Sequence, residues 1–216
     1  LHSADQGKTW QIQNLSEGGA ELNGLFFFNE KGVIPAGRGT VYLSFDGGAS
    51  WQVQVIPEAR VKKKLSGFYG AFWTDEKTLW LAGEDGKILM SKDRGKTWID
   101  RSFLKQNYYS VIFKDPLTGY AGGEKGALIY TQNGGEKWQK LPFSDYDIYQ
   151  LYLKENQLTA LGEAGLFVSS SLPGGKFFGS HGKSFLVYAI NFLAPFFFIW
   201  LFFLMAYKIF PNTRVS

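Results

Sequence analysis

The sequence predicts an all-β fold of repeated four-stranded antiparallel sheets, followed by one C-terminal transmembrane α-helix. Three observations predict it. A phrase of eight residues that ends in an aromatic residue recurs about every 40 residues, short apolar segments fill the intervals between the phrases, and a 23-residue run without charge lies near the C-terminus. Repeats of this length with four strands each are typical of the blades of a β-propeller.

The composition agrees with short strands joined by tight turns. The 216 residues include 26 Gly, 20 Phe, 11 Tyr and 7 Trp but only 7 Pro, and 45% are hydrophobic, which excludes intrinsic disorder. Cysteine is absent and the two histidines, His2 and His181, lie at opposite ends of the chain. Disulfide scaffolds, thiolate metal sites and histidine-based triads are therefore not expected, and we predict no cofactor and no metal.

The recurring phrase, here called the box, has the pattern Ser-x-Asp-x-Gly-x-Thr-Trp. The Asp can accept backbone N–H groups across a hairpin turn, the Gly supplies a positive φ, and the first hydroxyl closes the turn. The Trp opens the next strand and can pack beside the neighbouring sheet. Equivalent copies imply a repeated structural role, which disfavours calcium binding or catalysis by these Asp residues. The copies are residues 3–10, 44–51, 91–98 and 131–138, with a degenerate copy at 170–177.

The segments between the boxes predict four strands per repeat. Each segment is short, rich in aromatic and β-branched residues, and bounded by Gly, Asn or Asp, which are turn residues. The predicted strands are 24–28, 32–37, 40–44 and 51–55 in the first complete repeat, 68–73, 79–83, 87–91 and 98–101 in the second, 109–113, 120–123, 127–131 and 137–141 in the third, and 148–153, 158–162 and 166–169 at the start of the fourth.

The chain divides into a propeller at residues 1–178, a glycine-containing linker at 179–184, a membrane helix at 185–207 and a basic tail at 208–216. The chain begins inside a third strand, so we expect an N-terminal portion to precede it, and at least four blades are visible. The alternative is a four-bladed ring closed by this chain alone, in which the opening fragment completes the last blade.

Residues 185–207 are predicted to cross a bilayer, because 23 uncharged residues in a helix exceed the thickness of the hydrocarbon core, roughly 30 Å. A buried core helix is the alternative. Asn191 and Pro195 interrupt the run and indicate a partner helix; the alternative is a simple kink at Pro195 and a polar residue near the membrane interface at Asn191. The basic tail favours the cytoplasmic or stromal side, which places the propeller outside the cytoplasm, in a periplasm or thylakoid lumen.

The box resembles the Asp-box, or BNR, repeat of sialidases and sortilin-type receptors. The run from Ala82 to Trp98 is most similar to the photosystem II stability and assembly factor family of propellers. The resemblance covers residues 1–178 and implies a non-catalytic partner of a photosynthetic membrane complex. The chain departs from that family in its predicted membrane helix and in having four complete units where family members usually have about seven blades.

Two groups of residues are candidates for binding. The first group lies at the turns between second and third strands and comprises Arg38, Glu84, Glu124 and Glu163. These residues form either a binding rim of mixed charge or merely tight turns with exposed side chains. The second group lies in the connection at residues 57–67 and comprises Arg60, Lys62, Lys63 and Lys64. This connection is either a solvated loop or a segment that contacts anionic headgroups or an acidic partner.

The function predicted from these features is that of a non-catalytic, membrane-anchored propeller. It is expected to bind an integral membrane protein complex and the lipid bilayer from the extracytoplasmic side, as an assembly factor or accessory subunit. Scattered basic residues disfavour nucleic acid, and a small-molecule ligand is not favoured. The alternatives are a sortilin-like ligand-binding receptor and a sialidase-type glycoside hydrolase; for the latter, only Arg38 lies where a substrate carboxylate would bind.

Overall fold

The computed structural model describes residues 1–3, 5–13, 15, 19–142, 145–163 and 167–171. Within them, consecutive strands form successive antiparallel sheets in which sequence neighbours pair. The first sheet contains β1 (Phe26–Phe28), β2 (Lys31–Pro35), β3 (Thr40–Ser44) and β4 (Gln52–Val55), and a separate hairpin contains β5 (Arg60–Val61) and β6 (Lys64–Leu65).

The second and third sheets repeat this four-stranded plan, which confirms the predicted all-β fold of antiparallel sheets. Each strand of the four blade sheets begins and ends within two residues of its predicted bounds, whereas β5 and β6 were not predicted. The second sheet contains β7 (Phe68–Trp73), β8 (Leu79–Gly83), β9 (Ile88–Ser91) and β10 (Ile99–Asp100), the third contains β11 (Tyr108–Phe113), β12 (Gly119–Gly123), β13 (Leu128–Thr131) and β14 (Gln139–Leu141), and the fourth contains β15 (Ile148–Lys154), β16 (Gln157–Gly162) and β17 (Phe167–Ser171).

The hydrophobic core lies between consecutive sheets rather than on one side of each. Along β8, Leu79 and Leu81 pack with the first sheet, whereas Trp80 and Ala82 pack with the third. Side chains alternate between the two faces of a strand, so a sheet that is covered on both faces needs apolar residues at every position. All five residues of β8 are buried, and the same holds for β12. This explains why these strands are continuous apolar runs in the sequence.

A β-bulge occurs at the start of the first strand in the second, third and fourth sheets. The register shifts between Phe68 and Gly70, between Tyr108 and Ser110, and between Ile148 and Gln150. A bulge leaves one residue unpaired and turns its side chain away from the regular ladder. The three unpaired residues are Tyr69, Tyr109 and Tyr149.

The connection between the first and second sheets is more ordered than the predicted loop. A 3-10 turn at Pro57–Ala59 leads into the hairpin of β5 and β6, in which Arg60 pairs with Leu65 and Val61 with Lys64. No helix in the described part of the chain is long and apolar enough to cross a membrane. The predicted linker, membrane helix with Asn191 and Pro195, and basic tail lie outside the described residues.

Candidate functional site

The turns between second and third strands, together with the connections between sheets, form one end of the blades, here called the turn face. The opposite end, which carries the boxes, is called the box face. On the turn face each of the four described blades makes the same backbone hydrogen bond, 2.8 to 2.9 Å long, from the turn to a residue ahead of the first strand. That acceptor lies directly before the strand in the second, third and fourth blades, and five residues before β1 in the first. The donors and acceptors are Gly37 and Glu21, Glu84 and Gly67, Glu124 and Asn107, and Glu163 and Asp147.

This bonding corrects the position of Arg38. The sequence placed Arg38 level with the three glutamates, but Gly37 occupies their position and Arg38 is equivalent to the next residue. Arg38, Asp85 and Lys125 share a left-handed backbone with φ between 51° and 56°. Residue type alone does not fix the alignment of this turn with the later ones, because glycines occupy both positions that flank Arg38.

The three glutamates tie the turns to their own blades. The carboxylate of Glu84 accepts the Gly67 N–H at 3.1 Å, that of Glu124 accepts the Asn107 N–H at 3.5 Å, and that of Glu163 accepts the Asp147 N–H at 3.4 Å. These bonds support the interpretation of the glutamates as parts of tight turns. The three carboxylates are therefore engaged within their own turns.

A second set of bonds links consecutive blades. The Asp85 N–H donates to Oδ1 of Asn107 at 3.1 Å, and the Lys125 N–H donates to Oδ1 of Asp147 at 2.8 Å. Each bond runs from the turn of one blade to the strand start of the next blade. The turn face of the second, third and fourth blades is thus held together by side-chain links.

The three bulged tyrosines form a continuous row across these blades, here called the tyrosine row. The ring centroids of Tyr69 and Tyr109 are 5.3 Å apart in an edge-on contact, and those of Tyr109 and Tyr149 are 5.8 Å apart. Tyr149 is 52% exposed, and the other two are half-buried. Sequence reasoning missed this row, although a tyrosine recurs every 40 residues at these three positions.

The surroundings of Tyr69 and Tyr109 keep the hydroxyls of these two residues protonated. Burial and the nearby Glu84 carboxylate raise the pKa of Tyr69 to about 12, and its hydroxyl donates to Glu84 Oε1 at 3.2 Å. Burial, followed by the charges of Asp147 and Glu124, also raises the pKa of Tyr109. At neutral pH Tyr69 and Tyr109 therefore present rigid aromatic surface with neutral hydroxyl donors.

The hairpin of β5 and β6, here called the basic hairpin, adjoins the tyrosine row at the second blade. Lys64 Nζ lies 2.8 Å from Glu84 Oε2, and this hydrogen bond raises the pKa of Lys64. Burial alone would raise the pKa of Glu84, but Lys64, the Gly67 N–H and the Tyr69 hydroxyl outweigh it and lower that pKa. Arg60, Lys62 and Lys63 are exposed on the same hairpin. The structure thus places the basic group and the glutamate turn side by side.

The box face has a uniform geometry. In each of four boxes the first hydroxyl accepts the glycine N–H at 2.7 to 3.0 Å, and the Asp or Asn accepts the N–H four residues later at 2.8 to 2.9 Å. The box glycines have φ between 75° and 89°. Hydrogen bonds from Thr9, Ser50 and Thr97 are the main cause that lowers the pKa values of Asp5, Asp46 and Asp93 to about 2. Among the described residues, no group of three or more His, Cys, Asp or Glu side chains could hold a metal.

A cavity of about 580 Å³ runs along the first strands of the four sheets. Its walls are mostly aromatic and aliphatic, with Phe26, Phe72 and Tyr152 among them. Its one lining carboxylate, Asp115, accepts the N–H groups of Leu117 and Thr118 at 2.9 and 2.8 Å. None of the turn-face residues described above lines this cavity, so the cavity and the turn face are separate features.

Comparisons with known proteins agree with the repeat architecture. The family model described as photosynthesis system II assembly factor YCF48 matches residues 57–130. No curated protein sequence matches the chain.

Solved structures share the fold. A structure of YCF48 bound to a D1 peptide superposes with a TM-score of 0.61 at 16% identity, covering 74% of this chain and 54% of that one. YCF48 from Cyanidioschyzon merolae gives 0.60 at 20% identity, covering 74% and 56%. An ancestral GH74 enzyme gives 0.58 at 16% identity, covering 74% and 25%. The chain spans about half the length of the two YCF48 structures. These findings support a BNR-repeat β-propeller family for this chain, with residues 57–130 similar to the photosystem II assembly factor YCF48.

Proposed function

We propose that this chain is a non-catalytic docking subunit, of the assembly-factor kind, for an integral membrane protein complex. The turn face binds an extracytoplasmic segment of the complex, and the predicted helix at residues 185–207 holds the propeller at the bilayer. Tethering raises the effective concentration of the docking surface near its partner without adding any contact. A photosynthetic complex is the partner that the family resemblance favours.

The observation that carries this proposal is the extent of the YCF48 match. Residues 57–130 contain the basic hairpin, the turns of Glu84 and Glu124, and two members of the tyrosine row. The matched segment thus coincides with most of the described turn face. A YCF48 structure contains a bound D1 peptide, so a propeller of this kind binds a segment of a partner protein.

The chemistry of the tyrosine row suits protein docking. Tyrosine is enriched at protein interfaces because it presents a large apolar ring and a hydroxyl while ordering few rotatable bonds. The contacts between Tyr69, Tyr109 and Tyr149 already fix the rings before a partner arrives. A preorganised surface loses less conformational entropy on binding.

The protonation states support a non-catalytic role. Glycoside hydrolysis needs a carboxylic acid with a raised pKa beside a second carboxylate. The pKa values of Glu84 and Glu124 are lowered, the latter chiefly by its ion pair with Lys125 at 3.0 Å. Both carboxylates are therefore ionised at neutral pH and already engaged in structural bonds.

Purification of the tagged full chain from its native membranes in mild detergent tests the proposal. We expect a stoichiometric complex with an integral membrane assembly. Tyr149→Ala should weaken that complex by about 2 kcal/mol, roughly 30-fold, as truncation of an interface tyrosine commonly does. Tyr152→Ala is the matched control, because Tyr152 lies in the same strand, is 57% exposed and lines the cavity instead.

Three results would contradict the proposal. Equal losses for Tyr149→Ala and Tyr152→Ala would mean that the turn face is not the docking surface. A monomer that retains a soluble peptide would favour the sortilin-like receptor. Turnover of a chromogenic sialoside by the full chain would favour the hydrolase.

A further inference from the structure

A depression of about 490 Å³ lies between the basic hairpin and the connection that follows the second sheet. Four lysines from two separate segments line it, together with one aliphatic and one acidic residue. Its lining residues are Val61, Lys62, Lys63, Lys64, Asp85 and Lys105. Lys105 is distant in sequence from the hairpin, so only the fold brings this fourth cation to the site.

The charges around the depression do not cancel. Lys64 is paired with Glu84 at 2.8 Å, and Asp85 accepts the hydroxyl of Ser66 at 2.8 Å. Within the part of the chain that the structure describes, no hydrogen bond or ion pair engages the side chains of Lys62, Lys63 or Lys105, and all three are exposed. Three cations thus share one opening with a single carboxylate.

An apolar residue accompanies these cations. Leu104 precedes Lys105 and is 41% exposed. A surface that combines uncompensated cations with an exposed aliphatic side chain matches a bilayer interface, where cations meet lipid phosphates and apolar groups enter the headgroup boundary.

We propose that Lys62, Lys63 and Lys105 form a contact site for the phosphate groups of anionic lipid headgroups. Lysine suits this role better than it suits a protein interface. It is a strongly hydrated point charge on a long flexible stem, and protein interfaces are depleted in it. A fluid lipid surface accepts such charges without requiring a fixed geometry. Each cation near an anionic membrane favours contact by about five-fold.

This inference rests on the membrane anchoring proposed above, and it divides the turn face between two partners. The tyrosine row, which is rigid and aromatic, binds protein. The hairpin end, which is cationic, rests on lipid and fixes which side of the propeller meets the bilayer.

The test uses the full chain in lipid nanodiscs. Because the sequence has no cysteine, Leu104→Cys carries one environment-sensitive fluorophore. Leu117→Cys is the matched label site, since Leu117 is 58% exposed and lies in the loop between β11 and β12 at the box end of the blades. The nanodiscs contain phosphatidylcholine alone or phosphatidylcholine mixed with phosphatidylglycerol.

Phosphatidylglycerol should shift the emission of the label at position 104 to shorter wavelength and protect it from iodide, and salt should reverse both effects. The label at 117 should not respond, nor should inorganic phosphate reproduce the shift in phosphatidylcholine discs. The triple variant Lys62→Gln, Lys63→Gln, Lys105→Gln should lower the contact equilibrium by on the order of a hundred-fold, which is five-fold for each cation. The triple variant Lys8→Gln, Lys92→Gln, Lys96→Gln, which neutralises three exposed box lysines, should leave it unchanged.

An equal signal in the two lipid compositions would overturn the inference, as would a lipid response that survives the hairpin variant. A hairpin variant that loses only the partner complex would assign the cations to protein binding, which also overturns it. Failure of anchoring is a separate result: the chain would then not incorporate into discs, and flotation with phosphatidylglycerol vesicles would measure the lipid contact directly.

Discussion

The two ends of the blades repeat with different strictness. At the box face, the same hydroxyl, carboxylate or amide, and glycine bonds recur in four boxes with nearly equal lengths. At the turn face the backbone bonds recur, but the side chains of the first blade differ. Gly37 stands where the later blades have Glu, Arg38 stands where the second and third blades have Asp or Lys, and Asn23 stands where the later blades have Tyr. The basic hairpin is found at one junction of the described sheets. Uniform repetition accompanies a structural role, and departures from it mark where one blade differs from another.

The largest expected effect concerns the box tryptophans, which share a position but differ in burial. Trp98 is 7% exposed and packs in the core between the first and second sheets, whereas Trp10 is 59% exposed. Trp98→Ala should lower the free energy of unfolding by about 3–5 kcal/mol through loss of buried area and cavity formation. Trp10→Ala should cost less than about 1 kcal/mol. Urea denaturation measures both, and equal effects would remove packing as the role of the box tryptophan.

A smaller loss of folding stability is expected at the turn face, where an added β-carbon would collide with backbone atoms. A β-carbon at Gly123 would lie 1.9 Å from the carbonyl oxygen of Asn107, so the bulge of the third blade would have to shift. Gly123→Ala should therefore cost about 3 kcal/mol. Gly47→Ala on the box face is the control, because nothing lies within 4 Å of its β-carbon and only its φ of 71° opposes the change.

Gly47→Ala should lower the free energy of unfolding by only about 1 kcal/mol. Thermal unfolding followed by tryptophan fluorescence compares the two variants. A larger loss for Gly47→Ala would mean that backbone conformation, and not close approach at the bulge, limits these positions.

The smallest expected effect is a pH dependence at the box face. The pKa values of Asp5, Asp46 and Asp93 fall from 3.8 to about 2 on folding, chiefly through the Thr9, Ser50 and Thr97 hydroxyls. A lowered folded-state pKa stabilises the fold above the unfolded value. This stabilisation is present above about pH 4 and is lost as the pH falls toward 2. The fourth box has Asn133 instead and does not titrate.

Replacing Asp93 with Asn should therefore make the second-blade box resemble the fourth. The urea midpoint of this variant should fall less steeply between pH 4 and pH 2 than that of the unchanged chain. An unchanged slope would show that the box hydrogen bonds do not favour the ionised carboxylate.

The strands and boxes were predictable because their signals are local. Box bonds join residues within four positions of each other, and strands buried on both faces are uninterrupted apolar runs. The tyrosine row was not predicted, because the 40-residue spacing of the three tyrosines does not show the bulge, which depends on how two strands pair. The contact of Lys64 with Glu84 and the approach of Lys105 to the hairpin likewise depend on the fold. The membrane helix and its orientation stay predictions.

The joints between blades differ in what holds them, and this has a mechanical consequence. The later joints carry side-chain links: the Asp85 N–H donates to Asn107 at one joint, and the Lys125 and Leu151 N–H groups donate to Asp147 and to the Ser110 hydroxyl at the next. At the first joint, the Phe68 N–H bonds directly to the Ala36 carbonyl at 2.9 Å, and a β-carbon at Gly67 would lie 3.1 Å from the Gly37 Cα. The basic hairpin thus sits on a joint fastened by a main-chain bond, while the aromatic row spans joints fastened by side chains. A substitution of Asn107 or Asp147 can therefore weaken the joints beneath the tyrosines, whereas the bond beneath the hairpin does not depend on a side chain.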